Sequence, residues 1–191
     1  MNIFFSNNIN SKKKEIIISE QENVHLIKVL RKKVGSQINV TDGKGHLYNC
    51  SLIESDKNKS ILKIKNLVEF KNESPKLKIA IALTKNKDRF EWFLEKATEI
   101  GVYEITPLVC RYSERNKLNL ERSIKILISS MKQSLRYSLP VINKPVDFKD
   151  YLKSNSENNI DSYIATCLVA DDNWLKEKLI KGNNSLIMIG P

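Results

Sequence analysis

Three basic side chains stand close together in one short stretch of the sequence. Lys85, Lys87 and Arg89 follow the apolar run Leu77–Leu83 and open the amphipathic segment Asp88–Ile100. This order predicts a buried strand, a basic loop and a helix. Asp88 should cap the helix with Glu91 as its capping-box partner, and Gly101 should end it in a left-handed conformation. Ligands of open α/β sheets bind at the carboxyl ends of strands, and the N-terminus of a helix attracts anions. We therefore predict that these cations bind phosphates of a polyanion such as RNA.

A second basic loop is predicted at the same edge of the sheet. Arg111, Arg115 and Lys117 follow the predicted strand Val102–Val109. Because parallel strands end at one edge, the two loops should converge there. An exposed, solvated loop remains an alternative for either one alone.

Two predicted helices carry further polar side chains that could contact RNA. His25, Lys28 and Lys32 recur at helical spacing, with Arg31 beside them, and such cations suit phosphates. Gln133 and Arg136 are three residues apart and should share one face of a helix predicted over 120–137. An ordinary solvated helix face explains either pattern equally well.

The ends of two later strands are candidates for a ligand site. Thr166-Cys167 ends one predicted strand and Gly190-Pro191 ends another, and glycine lets a ligand approach the backbone closely. Cys167 has no histidine after it in the sequence, so a buried structural thiol is favoured over a nucleophile. The absence of G-x-G-x-x-G and of a P-loop disfavours a Rossmann dinucleotide site and an NTPase.

Bulk composition narrows the class of protein. The chain has 191 residues and a formal charge of +10, which suits a polyanionic partner. Its three cysteines and two histidines are too scattered for a zinc site, so no metal is expected. We expect a cytoplasmic protein with reduced thiols. No signal peptide or membrane-spanning stretch is visible.

The elements that must position these residues fall into two groups. Short strands, with Gln37–Thr41 among them, and one helix fill the first seventy residues and favour a small barrel. Ser19 and Glu22 fit a capping box for this helix, which is predicted to run through Lys33. After the polar stretch Phe70–Lys76, strands and helices alternate, which predicts an α/β domain with a mostly parallel sheet. We place the domains at 1–72 and 76–191.

Taken together in order, these residues resemble the RsmE family, SPOUT-class methyltransferases that modify uridine N3 in small-subunit (16S) ribosomal RNA. The resemblance spans essentially the whole chain. It is carried by His25–Arg31, Asp42-Gly43, Leu83–Val102, Ile105–Leu108, Ser113-Glu114-Arg115, Gln133, Arg136, Pro140 and Ile189-Gly190-Pro191.

The resemblance implies an N-terminal PUA-like β-barrel that binds RNA and a SPOUT domain with a trefoil knot, which is an exception to unknotted topology. It implies a homodimer that uses S-adenosylmethionine and acts on the small ribosomal subunit. The expected cofactor-binding residues are Thr166, Cys167, Leu168, Gly190 and Pro191. The expected RNA-binding residues are His25, Lys28, Arg31, Lys85, Lys87, Arg89, Arg115 and Gln133.

The sequence departs from the family pattern at three places. The Ser113-Glu114-Arg115 match needs a one-residue shift relative to the preceding strand. Lys132 stands where the family usually has an acidic residue before the glutamine, and the chain stops at Pro191, where the family continues with Glu-Gly-Gly. We therefore expect a C-terminally truncated form with an incomplete knot, and we expect the missing tail to be needed for cofactor binding.

The expected reaction is methyl transfer to uridine N3, a nitrogen on the pairing edge of the base. The base must therefore be unpaired or flipped out, and the N3 proton must leave. Arg136 is our candidate for stabilising the negative charge that develops on the flanking carbonyl oxygens; no proton acceptor can be assigned. Two alternatives remain open, a non-catalytic RNA-binding module and a SPOUT ribose 2′-O-methyltransferase.

Overall fold

The structure is a computed structural model that describes residues 2–10, 12–70, 74–155, 160–166 and 174–190. The chain divides into two compact units. The first comprises Met1–Asn72 and Met131–Leu139, and the second comprises Glu73–Ser130 and Pro140–Pro191. The expected domain boundaries at 72 and 76 stay a prediction, and the structure adds that Met131–Leu139 groups with the N-terminal residues.

The first unit is built on a six-stranded sheet in the order β1-β4-β5-β6-β3-β2. Neighbouring strands are antiparallel except for the parallel pair β1–β4. Alternating apolar side chains bury one face, with Ile16, Val40 and Leu62 fully enclosed. The described strands form a curled half-barrel, a more open sheet than the predicted barrel. They are β1 (Ile3–Phe5), β2 (Ile9–Asn10), β3 (Glu15–Ser19), β4 (Gln37–Thr41), β5 (His46–Ser55) and β6 (Lys59–Glu69).

The helix of this unit is shorter and less regular than predicted. It consists of α1 (Glu20–Val24) and the π-helical segment His25–Val29, whereas the sequence predicted one α-helix through Lys33. The predicted capping box is also wrong, because Ser19 makes no side-chain capping hydrogen bond. Glu22, the acidic residue of that box, pairs with Lys132 instead.

The second unit contains the predicted parallel sheet, in the order β10-β8-β7-β12-β11, with β9 also beside β8. Every described strand pair in it is parallel. Ala80, Leu108 and Leu186 are buried at its centre and Tyr151 packs against them. The strands are β7 (Leu77–Ala82), β8 (Glu104–Val109), β9 (Val141–Ile142), β10 (Val146–Asp147), β11 (Asp161–Ala165) and β12 (Ser185–Ile189).

The described residues after β7 form four helices, of which α3 ends in the first unit. They are α2 (Lys87–Ile100), α3 (Leu120–Gln133), α4 (Phe148–Asn155) and α5 (Leu175–Lys178). Asn86, not the predicted Asp88, caps α2, because its side chain accepts a hydrogen bond from the Asp88 N–H at 2.8 Å. Gly101 ends α2 in the predicted left-handed conformation, with φ of 89°. α4, β9 and β10 were missed because their apolar runs are short.

The hairpin between β4 and β5 holds the segment Tyr137–Leu139 by backbone pairing. The Leu139 N–H donates to the Gly43 carbonyl at 2.7 Å, and the Gly45 N–H donates to the Tyr137 carbonyl at 2.9 Å. A Cβ on Gly45 would lie 2.8 Å from the carbonyl oxygen of Phe70. Glycine at this position is therefore required by close backbone approach as well as by its positive φ.

We expect Gly45→Ala to destabilise the protein more than Gly35→Ala, although the two glycines have φ of +93° and +91°. Gly35 has no atom within 4 Å of an added Cβ, so its substitution isolates the cost of the left-handed backbone. We expect unfolding free energies lower by about 3 kcal/mol for Gly45→Ala and about 1 kcal/mol for Gly35→Ala, measured by urea unfolding. Equal losses would contradict the close approach.

Candidate functional site

The expected cofactor residues that the structure describes follow two neighbouring strands. Ala165 of β11 is in register with Ile189 of β12, so Thr166 and Gly190 stand side by side at the carboxyl edge of the parallel sheet. A Cβ built on Gly190 meets no atom of the described residues within 4 Å, which leaves room for a ligand against the backbone. Cys167, Leu168 and Pro191 lie outside the described residues.

The two basic loops meet in the second unit, as their positions after β7 and β8 predicted. Lys85 of the first loop and Glu114 of the second form an ion pair, with Nζ and Oε2 2.8 Å apart. The Glu114 carboxylate raises the pKa of Lys85 through this hydrogen bond. Both side chains are exposed, so the pair adds little stability; it marks where the loops converge.

Arg115 is the most constrained cation of these loops. Its Nε donates to the Lys117 carbonyl at 3.0 Å. Its Nη1 is buried and finds no hydrogen-bond partner among the described residues. An unpaired buried donor is costly, and Arg115 Nη1 is the one such side-chain atom in the part of the chain that the structure describes. Lys87 and Arg89 are exposed at the first turn of α2.

A charged contact between α2 and α3 was not foreseen from the sequence. Arg122 donates from Nε and Nη2 to the two carboxylate oxygens of Glu91, at 2.5 and 2.7 Å. This hydrogen-bonded guanidinium lowers the pKa of the Glu91 carboxyl. The spacing from Asp88 predicts a capping-box role for Glu91, and only the packing of the two helices reveals its partner.

The predicted stripe of His25, Lys28 and Lys32 does not form as a regular helical face, because His25–Val29 is π-helical. The Leu30 N–H donates to the His25 carbonyl at 2.9 Å, and Arg31 follows with φ of 50°. His25, Lys28 and Arg31 are all exposed. π-Helical turns and left-handed non-glycine residues concentrate at functional sites, which makes this turn a candidate site.

Gln133 and Arg136 do not share a helical face, because α3 ends at Gln133. Leu135 adopts a left-handed conformation with φ of 54°, and the Arg136 N–H returns to the Met131 carbonyl at 3.0 Å. This is the hydrogen-bond pattern of a Schellman helix end. The prediction of a continuous helix through Tyr137 was therefore wrong, and Arg136 lies in the turn that follows.

Lys132, which departs from the family pattern, does not add an uncompensated charge beside Gln133. Its Nζ pairs with Glu22 Oε1 within the first unit. The sequence offered no local signal for this contact, since the two residues are 110 positions apart.

The described cysteines have no reactive character. Burial raises the pKa of the Cys50 thiol to about 12 and also raises that of Cys110, so both are protonated at neutral pH. Across the described residues, no group of three or more His, Cys, Asp or Glu side chains could hold a metal ion. Within the same residues, no helix combines the length and the apolar character needed to span a bilayer.

Models of known protein families match both parts of the chain. A family model described as an RNA methyltransferase domain matches residues 72–191, and one described as an RNA methyltransferase PUA domain matches residues 18–65. The chain belongs to the RsmE family of RNA methyltransferases. The predicted fold class, a PUA-like unit with a SPOUT α/β domain, is confirmed.

Curated RsmE relatives are similar over most of the chain. Ribosomal RNA small subunit methyltransferase E of Rickettsia conorii is 27% identical over 93% of this chain and 72% of its own length. The protein of the same name from Mesomycoplasma hyopneumoniae is 34% identical over 76% of this chain and 64% of its own length. This chain therefore spans about two thirds to three quarters of these relatives.

Solved structures agree with the fold of this RsmE-family chain. A probable rRNA-methyltransferase from Porphyromonas gingivalis has a TM-score of 0.87 and 27% identity, covering 100% of this chain and 80% of that one. Ribosomal RNA small subunit methyltransferase E from Neisseria gonorrhoeae, bound to S-adenosyl methionine, has a TM-score of 0.83 and 22% identity, with the same coverage.

We expect Glu91→Gln to lower the free energy of unfolding at pH 7, because the carboxylate bound to Arg122 is lost. The pKa of Glu91 is lower in the folded state, so its stabilising effect is present above the unfolded pKa and disappears as pH falls through the folded pKa. The difference from the wild type should therefore shrink below about pH 4. Urea unfolding between pH 7 and pH 3 measures this; Glu54→Gln, at an exposed position of β5, is the control. A difference independent of pH would contradict this role.

Proposed function

We propose that the protein transfers a methyl group from S-adenosylmethionine to N3 of a uridine in small-subunit (16S) ribosomal RNA. The main support is the carboxyl edge of the parallel sheet, where Thr166 and Gly190 stand beside each other in a domain matched to RNA methyltransferases. The open space at Gly190 fits a cofactor held against the backbone. Cys167, Leu168 and Pro191 are proposed to complete this site.

S-Adenosylmethionine, when bound, supplies an electrophilic methyl group on a sulfonium sulfur. In the balanced reaction, the carbon–sulfur bond breaks, an N3–methyl bond forms and the N3 proton leaves. Arg136 is proposed to stabilise the negative charge that spreads onto the carbonyl oxygens beside N3. Much of the acceleration would come from alignment of the reacting groups.

RNA binding is proposed to use cations of both units. His25, Lys28 and Arg31 offer an exposed turn on the first unit, and the converged loops offer Lys85, Lys87, Arg89 and Arg115 on the second. Cations in both places would bind phosphates and make binding depend strongly on salt concentration. Gln133 is proposed to contact RNA next to Arg136, and the active form is proposed to be a homodimer.

We expect isothermal titration to detect S-adenosylmethionine binding by the protein expressed from its complete reading frame, and Gly190→Val to abolish it. An added side chain at Gly190 meets open space, so the variant should keep the thermal unfolding temperature of the wild type without ligand. Titrating the 191-residue chain in parallel tests whether it binds alone. Absence of binding by the complete wild-type protein would favour the non-catalytic RNA-binding module.

We expect deletion of the gene to remove one methylated uracil from 16S ribosomal RNA, and expression of the wild type to restore it. Arg136→Ala should lower turnover by about 10²-fold, since it removes a donor to developing negative charge. Lys149→Ala, on the exposed surface of α4, is the matched control and should retain activity. Mass mapping locates the methyl group; a methyl on ribose would establish the 2′-O-methyltransferase alternative.

A further inference from the structure

Glu22 and Lys132 form an ion pair that is shielded from solvent. Lys132 Nζ donates to Glu22 Oε1, and the Lys132 and Glu22 side chains are 24% and 25% exposed. The second carboxylate oxygen, Oε2, accepts from the Phe5 N–H at 3.3 Å. Both oxygens of Glu22 are therefore bound, which restricts the carboxylate far more than a single surface contact would.

The pair joins two segments that carry proposed RNA-contacting residues. Glu22 lies in α1, three residues before His25. Lys132 is the residue before Gln133 and lies four residues before Arg136. The contact spans 110 residues of sequence within the first unit, so it sets the place of the end of α3 relative to α1.

The segment after α3 is already held by contacts independent of this pair. The Tyr137 carbonyl accepts from the Gly45 N–H and from Thr41 Oγ1 at 3.2 Å, and the Tyr137 ring stacks on Phe70 with centroids 4.4 Å apart. Lys132 and Tyr137 thus anchor both ends of the turn 133–136. Within it, Leu135 keeps a strained left-handed conformation, which persists only where the surroundings hold it.

We propose that Glu22 and Lys132 are positioning residues that fix the turn carrying Gln133 and Arg136 for RNA methylation. The inference rests on the proposed function, since it assigns a role in the same reaction. The pair touches no reacting atom. It acts by holding one end of the turn, and a small displacement of a positioned group is enough to lower turnover.

A double-mutant cycle tests the pair. Glu22→Gln removes the charge and keeps an oxygen for the Phe5 N–H, Lys132→Met keeps most of the side-chain length, and Lys132→Arg keeps the charge. The matched control is the Glu15–Lys63 pair of the same sheet, with Oε1 and Nζ 3.8 Å apart, changed to Gln and Met. The complete protein is used, and kcat and KM are measured for RNA and for S-adenosylmethionine, well below the unfolding temperature of every variant.

Each single charge-removing variant should lower kcat/KM for RNA roughly tenfold, with KM for S-adenosylmethionine unchanged. Glu22→Gln combined with Lys132→Met should be no worse than either alone, because both remove one interaction. Lys132→Arg should stay within about threefold of the wild type, since charge and length are kept. The Glu15 and Lys63 variants should retain wild-type kinetics.

Three kinetic results would overturn the proposal. They are wild-type kinetics in both single variants, losses that multiply in the double variant, and a loss equal to that of the control pair. A lowered unfolding temperature with unchanged kcat/KM would show a structural role alone and would also overturn it. If the wild type binds cofactor but methylates no ribosomal RNA, the proposed function itself fails, which is distinct from failure of the pair.

Discussion

The first unit depends on the backbone pairing between the β4–β5 hairpin and the segment Tyr137–Leu139. Gly43 and Gly45 allow two chain segments almost a hundred residues apart to approach within hydrogen-bonding distance. Side chains at these positions would occupy the space of Leu139 and of the Phe70 carbonyl. The end of α3 is thereby built into the N-terminal sheet, and the turn that carries Arg136 acquires a fixed place.

Two kinds of irregularity accompany this arrangement. The π-helical turn at His25 and the left-handed Arg31 and Leu135 depart from the geometry that their side chains prefer. Such conformations cost on the order of 1–3 kcal/mol each and need compensating contacts. Compensation is visible at Leu135, where the Glu22–Lys132 pair precedes the turn and the stacked Tyr137 follows it.

In the second unit, loops converge at one edge of a parallel sheet. Register alone places Thr166 beside Gly190, and the loops after β7 and β8 are joined by Lys85 and Glu114. The backbone of Thr166 and Gly190 and the cations of the two loops therefore lie at the carboxyl ends of the strands. The apolar sheet beneath them is rigid.

The sequence by itself determined the parallel sheet, the basic loops, helix α2 with its Gly101 end and strand β4, because hydrophobic period and turn residues are local signals. It also carried the ordered motifs of the RsmE family. The tertiary structure alone decided the end of α3, the π-helical turn at His25 and the partners of Glu22 and Glu91. The cations that bind Glu91 and Glu22 are 31 and 110 positions away in the sequence, which no local pattern encodes. The spacing of Glu22 and Glu91 suits capping boxes. In the folded protein, Glu22 binds Lys132 and Glu91 binds Arg122 instead.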